Sequence, residues 1–271
     1  MSCVTTRFPG RVGLRVGGCV LGAILGACAH PRLSLPADAG APLADFQNVH
    51  AQVSSTCRGV RTLTAELGLS GRAGGQRLRG RVVAGLTRDG SMRLEGVAPF
   101  GPPVFILAGR GASAVLLLPR DARVLRGARA EDVLGALTGV TFGAADLLAI
   151  LDGCVVPAPV ATAGRLHANG WASIDLVGAR LYLQRRDDAW QLRAAQRDGW
   201  QIEYVSGAGV VPQSVRLQAD DPAAMVDLTA ALSQVDTNVD LGERAFDVVV
   251  PDTAVPMTLD ELRRNGPLGQ R

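Results

Sequence analysis

The sequence predicts a mainly β (α+β) protein in which a single curved antiparallel sheet forms an incomplete β-barrel, capped and partly filled by short helices. Apolar and polar residues alternate over residues 61–97 and again after residue 160, the two-residue period of a sheet with one apolar and one wet face. Between them, residues 128–154 contain two short, very apolar helical patterns. A helix that is apolar nearly all round must be buried. We therefore place these helices in the concavity of the sheet.

The strands are predicted from the alternation, with turn residues such as Asp89-Gly90 and Asn169-Gly170 between them. We expect about ten antiparallel strands. The inward-facing or wholly apolar segments, in order, are Leu63–Leu69, Leu78–Leu86, Met92–Gly96, Val104–Leu107, Val115–Leu118, Ala172–Leu176, Ile202–Tyr204, Val215–Ala219 and a last edge strand, Phe246–Pro251.

The helices are predicted from apolar spacing and from their end signals. The first has Phe46, Val49, Val53 and Cys57 on one face. Glu131-Asp132 open a second helix, which Gly139 ends. Another short helix runs from about Ala144 to Leu151. A capping box at Thr258–Glu261 opens a last helix, which continues through Arg264.

The chain start has the pattern of a secretory signal peptide. Three arginines and no acid precede an uncharged stretch of 14 residues, 16–29, which as a helix would reach only ~21 Å against roughly 30 Å for a bilayer core. A buried core helix is the alternative, but one-sided basic charge at a chain start favours a signal peptide. We predict a signal peptide at 1–27, a proline-containing linker at 28–44, the folded domain at 45–251, and a tail with a short helix at 252–271.

Composition excludes nucleic acid as a partner. The chain has 28 basic and 25 acidic residues and no lysine, and removal of residues 1–27 takes three arginines and no acid, leaving 25 of each. No basic block is segregated from the acids, so the electrostatic footprint of a nucleic-acid binder is missing.

Two cysteines, Cys57 and Cys154, remain after Cys3, Cys19 and Cys28 are assigned to the leader and its end. Disulfides persist in exported proteins, so these two are a candidate pair. Two separate buried thiols are the alternative.

Nothing in the sequence indicates catalysis or a metal site. The three histidines, His30, His50 and His167, lie far apart, with no cysteine or carboxylate at ligand spacing. There is no glycine-rich phosphate loop and no serine between glycines at an elbow. We expect no enzyme activity, no metal and no cofactor.

The loop at Val97–Pro103 stands out from the strands that it joins. Three prolines stiffen it, and Phe100 offers a large apolar side chain at its tip. The side chain is either tucked under its own loop or exposed as an apolar probe.

The order of these motifs resembles the family of LolB-type outer-membrane lipoprotein receptors, within the wider LolA/LolB-like lipoprotein carriers. The resemblance is clearest over residues 60–155 and continues loosely to about residue 220. It is carried by the Arg93-Leu94 strand, the Ala98-Pro99-Phe100-Gly101 loop, Glu131-Asp132 opening a helix, Leu137-Thr138-Gly139, and a second helix ending at Leu151-Asp152-Gly153. Leu25-Gly26-Ala27-Cys28 also resembles the lipobox of bacterial lipoproteins.

These resemblances imply lipidation at Cys28 and a monomer anchored to the outer membrane, facing the periplasm. They imply a hydrophobic cavity that receives acyl chains of lipoprotein cargo from a periplasmic LolA-like carrier, and an insertion loop, Pro99-Phe100-Gly101, in which Phe100 replaces the family's leucine. The alternative is a structural or assembly lipoprotein that binds a partner protein or phospholipid. Candidate cavity-lining residues, each of which could instead be ordinary core, are Leu63, Leu67, Leu78, Val82, Leu94, Leu107, Leu134, Leu148, Leu151 and Trp171.

Overall fold

The computed structural model describes residues 32–207 and 209–265. The predicted signal peptide, Cys28 and residues 266–271 of the predicted tail lie outside the described residues. In the described part, residues 33–265 belong to one compact unit, and no described helix is long and apolar enough to span a membrane.

The predicted fold class is confirmed, since one large, open antiparallel sheet dominates the structure. Over the described residues it has 15 strands rather than about ten, of which the first and last have two residues each. In chain order they are β1 (Ala41–Pro42), β2 (Thr62–Ala73), β3 (Gln76–Thr87), β4 (Ser91–Val97), β5 (Ile106–Arg110), β6 (Ser113–Leu118), β7 (Arg123–Ala128), β8 (Ala161–Leu166), β9 (Trp171–Leu176), β10 (Ala179–Arg186), β11 (Ala189–Arg197), β12 (Trp200–Val205), β13 (Ser214–Ala219), β14 (Asp227–Thr237) and β15 (Val255–Pro256).

The sheet consists of two meanders joined in the middle. Strands β2 to β7 follow one another, as do β8 to β14, and β14 pairs antiparallel with β2 to unite them. Among the strands that the structure describes, only β15 runs parallel to its neighbour, β7. Because β7 and β8 lie near opposite edges, the chain between them must cross the width of the sheet.

The crossing is made by helices on the apolar face of the sheet. The α-helices are α1 (Phe46–Val53), α2 (Ala130–Thr138), α3 (Ala144–Asp152) and α4 (Leu259–Asn265). Helix α2 packs on β5 and β6, and α3 packs on β3 and β4. This explains why α2 and α3 are so apolar. Glycines at positive φ end them, Gly139 at +76° and Gly153 at +88°, a conformation that glycine adopts without strain.

The predicted last strand at Phe246–Pro251 is wrong. Glu243–Phe246 form a 3₁₀ helix and the residues after it have no regular structure. Arginine side chains hold this segment in place of a strand ladder, since Arg93 Nη1 donates to the carbonyl of Asp247 at 2.7 Å and Arg110 Nη2 to its carboxylate at 2.6 Å. A strand that was not predicted, β14, occupies the centre of the sheet instead.

The first helix is also shorter than its apolar stripe predicts. It ends at Val53, because the Ser54 hydroxyl donates to the His50 carbonyl at 2.6 Å and the chain turns. Cys57 therefore opens a separate 3₁₀ turn, Cys57–Gly59. At the other end of the chain the predicted capping box is confirmed, since Thr258 N donates to Glu261 Oε2 at 2.7 Å.

Both segments flanking the domain lie on it. In the predicted linker, Leu33 N donates to Glu203 Oε1 at 2.7 Å, and β1 pairs with β8. In the predicted tail, β15 extends the sheet and α4 packs on α2 with Leu262 fully buried. The described parts of both segments are thus integral to the folded unit.

Candidate functional site

A cavity of about 920 Å³ lies between the apolar face of the sheet and the crossing helices. Ligand pockets are usually ~300–1,000 Å³, so this one is at the large end. Only six of its 28 lining residues are polar. They are Ser70, Arg79, Arg81, Arg120, Asp121 and Thr138.

The wall is built mainly by the inward side chains of β2, β3 and β4 and by the helices α2 and α3. Leu78, Gly80 and Val82 follow one another on the inner side of β3. From Gly80 to Leu86 the strand spans about 20 Å along the cavity at ~3.3 Å per residue. Strands β13 and β14 add Val215, Leu217, Leu228 and Ala230.

The cavity opens where β3 loses its neighbour. The pairing of β4 with β3 ends at Arg81 opposite Val97, so Gln76–Gly80 extend beyond β4. The chain leaves β4 there into the proline-rich loop, and Ala98 and Pro99 form part of the lining. A Cβ added at Gly80 would meet no atom within 4 Å. Gly80 faces inward from a regular strand and has empty space in front of it. We therefore place the mouth of the cavity here.

Phe100 projects from this loop into solvent, with 88% of the residue exposed. Gly101 follows at φ +79°, which a residue with a side chain rarely adopts. Arg120 Nη2 donates to the Phe100 carbonyl at 2.8 Å, and Arg120 itself lines the cavity. The loop is therefore tied to the rim while its aromatic side chain remains outside.

The ten candidate lining residues divide into two groups. Leu67, Leu78, Val82, Leu94, Leu134 and Leu151 line the cavity. Leu63, Leu107 and Leu148 are fully buried in the core, and Trp171 is half-buried at the start of β9; none of these four lines it.

The sequence did not identify Arg79, Arg81 and Arg120 as lining residues, nor did it indicate that β13 and β14 form part of the wall. Val215 and Leu217 carry the alternation that could have identified them, but β14 has no clear signal. Phe105, also in the wall, lies against Gly96, where an added Cβ would come within 2.6 Å of its ring. Gly96 is thus required by the close approach of the ring.

Next to the lining residues Leu86 and Leu151 in sequence lie a disulfide and a buried ion pair. Cys57 and Cys154 are bonded, with Cα atoms 5.5 Å apart. Arg88 Nη2 lies 2.6 Å from Asp152 Oδ2, and the same guanidinium donates to the carbonyl of Cys57 at 3.1 Å. Burial raises the pKa of Asp152 to about 7, against the opposing effects of the Cys154 N–H and Arg88. Since the two thiols are bonded to each other, they are not metal ligands here, although Asp152 lies close to both.

One hydrogen-bond chain has the order of a Ser-His-Asp triad. His167 Nε2 lies 2.9 Å from Ser173 Oγ, and His167 Nδ1 lies 2.9 Å from Asp38 Oδ1. Ser173, however, is 3% exposed in the middle of β9, with β8 and β10 on either side, so a substrate has no access to its hydroxyl. The chain of bonds instead fixes Asp38–Gly40 on the sheet, and the hydrogen bond from His167 lowers the pKa of Asp38.

The other histidine that the structure describes, His50, is a satisfied core residue. It is buried, and Arg58 Nη2 lies 3.3 Å from its Nδ1. Burial lowers its pKa. His30 lies outside the described residues.

No protein-family model matches the chain, and no curated protein matches its sequence. Among solved structures, a LolA superfamily protein from Nitrosomonas europaea is similar over 74% of this chain and 98% of its own, with 9% identity and a TM-score of 0.49. A DUF1329 family protein from Desulfovibrio piger covers 76% and 98%, with 13% identity and a TM-score of 0.45. At these identities and TM-scores the likeness gives no information on ligand or activity.

Proposed function

We propose that the protein is a periplasm-facing outer-membrane lipoprotein that binds acyl chains of lipoprotein cargo in its cavity and delivers them to the membrane without covalent chemistry. The observation that carries the proposal is the cavity of about 920 Å³, with its apolar wall and an exposed phenylalanine at its mouth. Pockets of this kind bind apolar ligands through burial of their surface.

The size of the cavity suits fatty acyl chains. A methylene group is about as large as a water molecule, whose share of liquid volume is ~30 Å³; the cavity of about 920 Å³ then holds roughly 30 methylene-sized groups. That is room for one or two long chains. Each buried methylene contributes about 0.8 kcal/mol, so a chain of about fifteen carbons contributes on the order of 10 kcal/mol. A bilayer that buries the same chain offers a comparable free energy, so the cavity can hold a chain and still release it to the membrane.

Lipidation of Cys28 would provide the membrane anchor of the protein. Two or three acyl chains on Cys28 would hold the protein stably at a membrane surface, whereas one chain holds only marginally. Residues 29–32 would join this anchor to the folded unit, which begins at Leu33. Ala29, rather than Asp, after the lipidated cysteine supports export to the outer membrane. A LolA-like carrier is the proposed donor.

Phe100 is the proposed membrane-inserting residue. Full burial of a phenylalanine side chain contributes ~1.5–3 kcal/mol, and Phe100 has 88% of its surface free for this. Phe100→Glu is expected to slow delivery about tenfold or more, while loading is unchanged because Phe100 does not line the cavity. The measurement uses protein loaded with a fluorescent triacylated peptide and follows arrival of the label in liposomes.

Phe100→Leu is the matched control. It restores the apolar contact and should deliver at nearly the rate of the natural protein. If Phe100→Glu and Phe100→Leu delivered the labelled peptide at equal rates, Phe100 would have no role in delivery.

A further inference from the structure

The outward face of the hairpin formed by β2 and β3 carries a group of exposed arginines. Along β3 the buried side chains of Leu78 and Val82 point toward the cavity, and arginines alternate with them on the other side of the strand. Arg81 contacts Glu66 of β2 on this outer side, at 3.4 Å. The exposed arginines, which we call the arginine face, are Arg72, Arg77, Arg79 and Arg81.

Most of the charge on the arginine face has no counter-charge on the protein. Among the described residues, Arg72, Arg77 and Arg79 have no hydrogen-bond or ion-pair partner. Arg77 lies directly opposite Arg72 in the register, and like charges at such positions destabilise a strand pair. Asp227 lies opposite Arg72 on β14, but Arg216 binds its two carboxylate oxygens at 2.8 Å each. The positive charge is therefore free to attract an anionic surface.

The start of the folded unit lies on the same outward face of the sheet. Leu33 N donates to Glu203 Oε1 at 2.7 Å, and Gln201 Nε2 donates to the Leu33 carbonyl at 3.0 Å. Both side chains belong to the outer side of β12, since Ile202 between them is buried in the core. The register places Glu203 in one row with Arg79, across β13, β14 and β2. Four strand spacings of ~4.8 Å separate the two by about 19 Å.

This position of Leu33 limits how far the domain can stand from its anchor. Residues 29–32 separate Cys28 from Leu33, and a chain spans at most ~3.6 Å per residue, so their Cα atoms lie no more than about 18 Å apart. A lipidated Cys28 would sit at the membrane surface. The attraction of arginine to an anionic membrane extends over a Debye length, about 8 Å at physiological ionic strength. The short tether therefore lets the outward face come within this range.

We propose that the arginine face docks on the anionic surface of the membrane that holds the Cys28 anchor. The inference rests on the proposed function, because it uses the same anchor and adds how the cavity is presented to the bilayer. The loop that carries Phe100 leaves β4 after Val97, which lies opposite Arg81. Docking thus brings the exposed ring to the membrane. Phosphatidylglycerol-type headgroups supply the negative charge, and guanidinium groups suit their phosphate oxygens through paired N–H donors.

Arginine footprinting of the natural, lipidated full chain tests this proposal. The protein is reconstituted in vesicles of dioleoylphosphatidylcholine, or of its equimolar mixture with dioleoylphosphatidylglycerol, and reacted with phenylglyoxal. Peptide mass spectrometry then measures the modification of each arginine. One arginine near an anionic surface contributes about fivefold to binding, so the arginine face is expected to react about tenfold or more slowly on the anionic vesicles. High salt should remove the protection.

The variant R77Q/R79Q is expected to lose most of the protection at Arg72 and Arg81, because two contributions of about fivefold are removed. Its fold should be undisturbed, since neither replaced side chain has a partner among the described residues. Binding of a fluorescent fatty-acid probe verifies that its cavity is intact. The matched control, R126Q/R186Q, removes the same charge from two exposed arginines outside the arginine face, and should keep the protection.

The outcomes separate docking from the proposed function. Equal modification of the arginine face on neutral and anionic vesicles, or protection that survives R77Q/R79Q, would overturn the inference. Protection on neutral vesicles that appears only at high protein density would also overturn it, since a second copy of the chain would then cover the face. Delivery of a fluorescent triacylated peptide without protection would leave the proposed function standing. Protection in a protein that binds no acyl chain would support docking and end the proposed function.

Discussion

Gly80→Phe is expected to abolish acyl-chain binding while the protein stays folded. Gly80 faces the cavity from β3, has no positive φ, and leaves nothing within 4 Å of an added Cβ. A phenyl ring there enters open space at the mouth. Exclusion of even four methylenes would cost about 3 kcal/mol, more than a hundredfold in affinity. Binding of a fluorescent fatty-acid probe measures the effect.

The stability of this variant is the critical companion measurement. Glycine within a strand is unfavourable, so the free energy of unfolding should be unchanged or higher. Val83→Phe, on the outward face of the same strand where Val83 is exposed, is the matched control and should bind the probe normally. Normal probe binding by Gly80→Phe would show that chains do not enter by this mouth.

Replacement of Cys57 and Cys154 together by alanine is expected to produce the largest loss of stability. The bond closes a loop with a sequence separation of 97, and in the chain-entropy model a loop of about 100 residues is worth up to ~4.7 kcal/mol. The bridge also ties the 3₁₀ turn after α1 to the C-terminal end of α3, beside the ion pair of Arg88 and Asp152. Urea unfolding of both proteins under oxidising conditions measures the difference.

Reduction provides the control for this prediction. With a thiol reductant the natural protein should fall to the stability of the alanine variant, which itself should not respond. Equal stability of the two proteins under oxidising conditions would mean that the two thiols are not bridged in solution.

The fold class could be predicted because its signals are local. Alternation along β2, β3 and β4 follows directly from one buried and one wet face, and the apolar character of α2 and α3 follows from their burial on that face. The capping box at Thr258 was equally local. Each of these features depends on residues within a few positions of one another.

The remaining elements depend on long-range contacts. Segment Phe246–Pro251 has a strand-like pattern, but Arg93 and Arg110, more than a hundred residues away, bind its backbone and side chains instead. Strand β14 alternates only weakly. Its place in the sheet is set by pairing with β13 on one side and β2 on the other. The pairing of His167 with Asp38 joins residues 129 positions apart, so spacing alone did not indicate it.

The structure places some of the candidate lining residues on the cavity and others in the core. Six of the ten proposed lining residues lie on the cavity, whereas the most deeply buried, such as Leu63 and Leu107, belong to the packed core. A pattern of inward positions cannot distinguish a wall from a core, because both are apolar. Only the point where β3 extends beyond β4 defines the opening.

The central claim is that the cavity holds fatty chains, and the most direct measurement is native mass spectrometry of the full chain purified from its host. We predict bound lipid on the natural protein, amounting to one or two long acyl chains per molecule, and none on Gly80→Phe. Natural protein that carries no lipid and also fails to take up a fatty-acid probe would contradict the account.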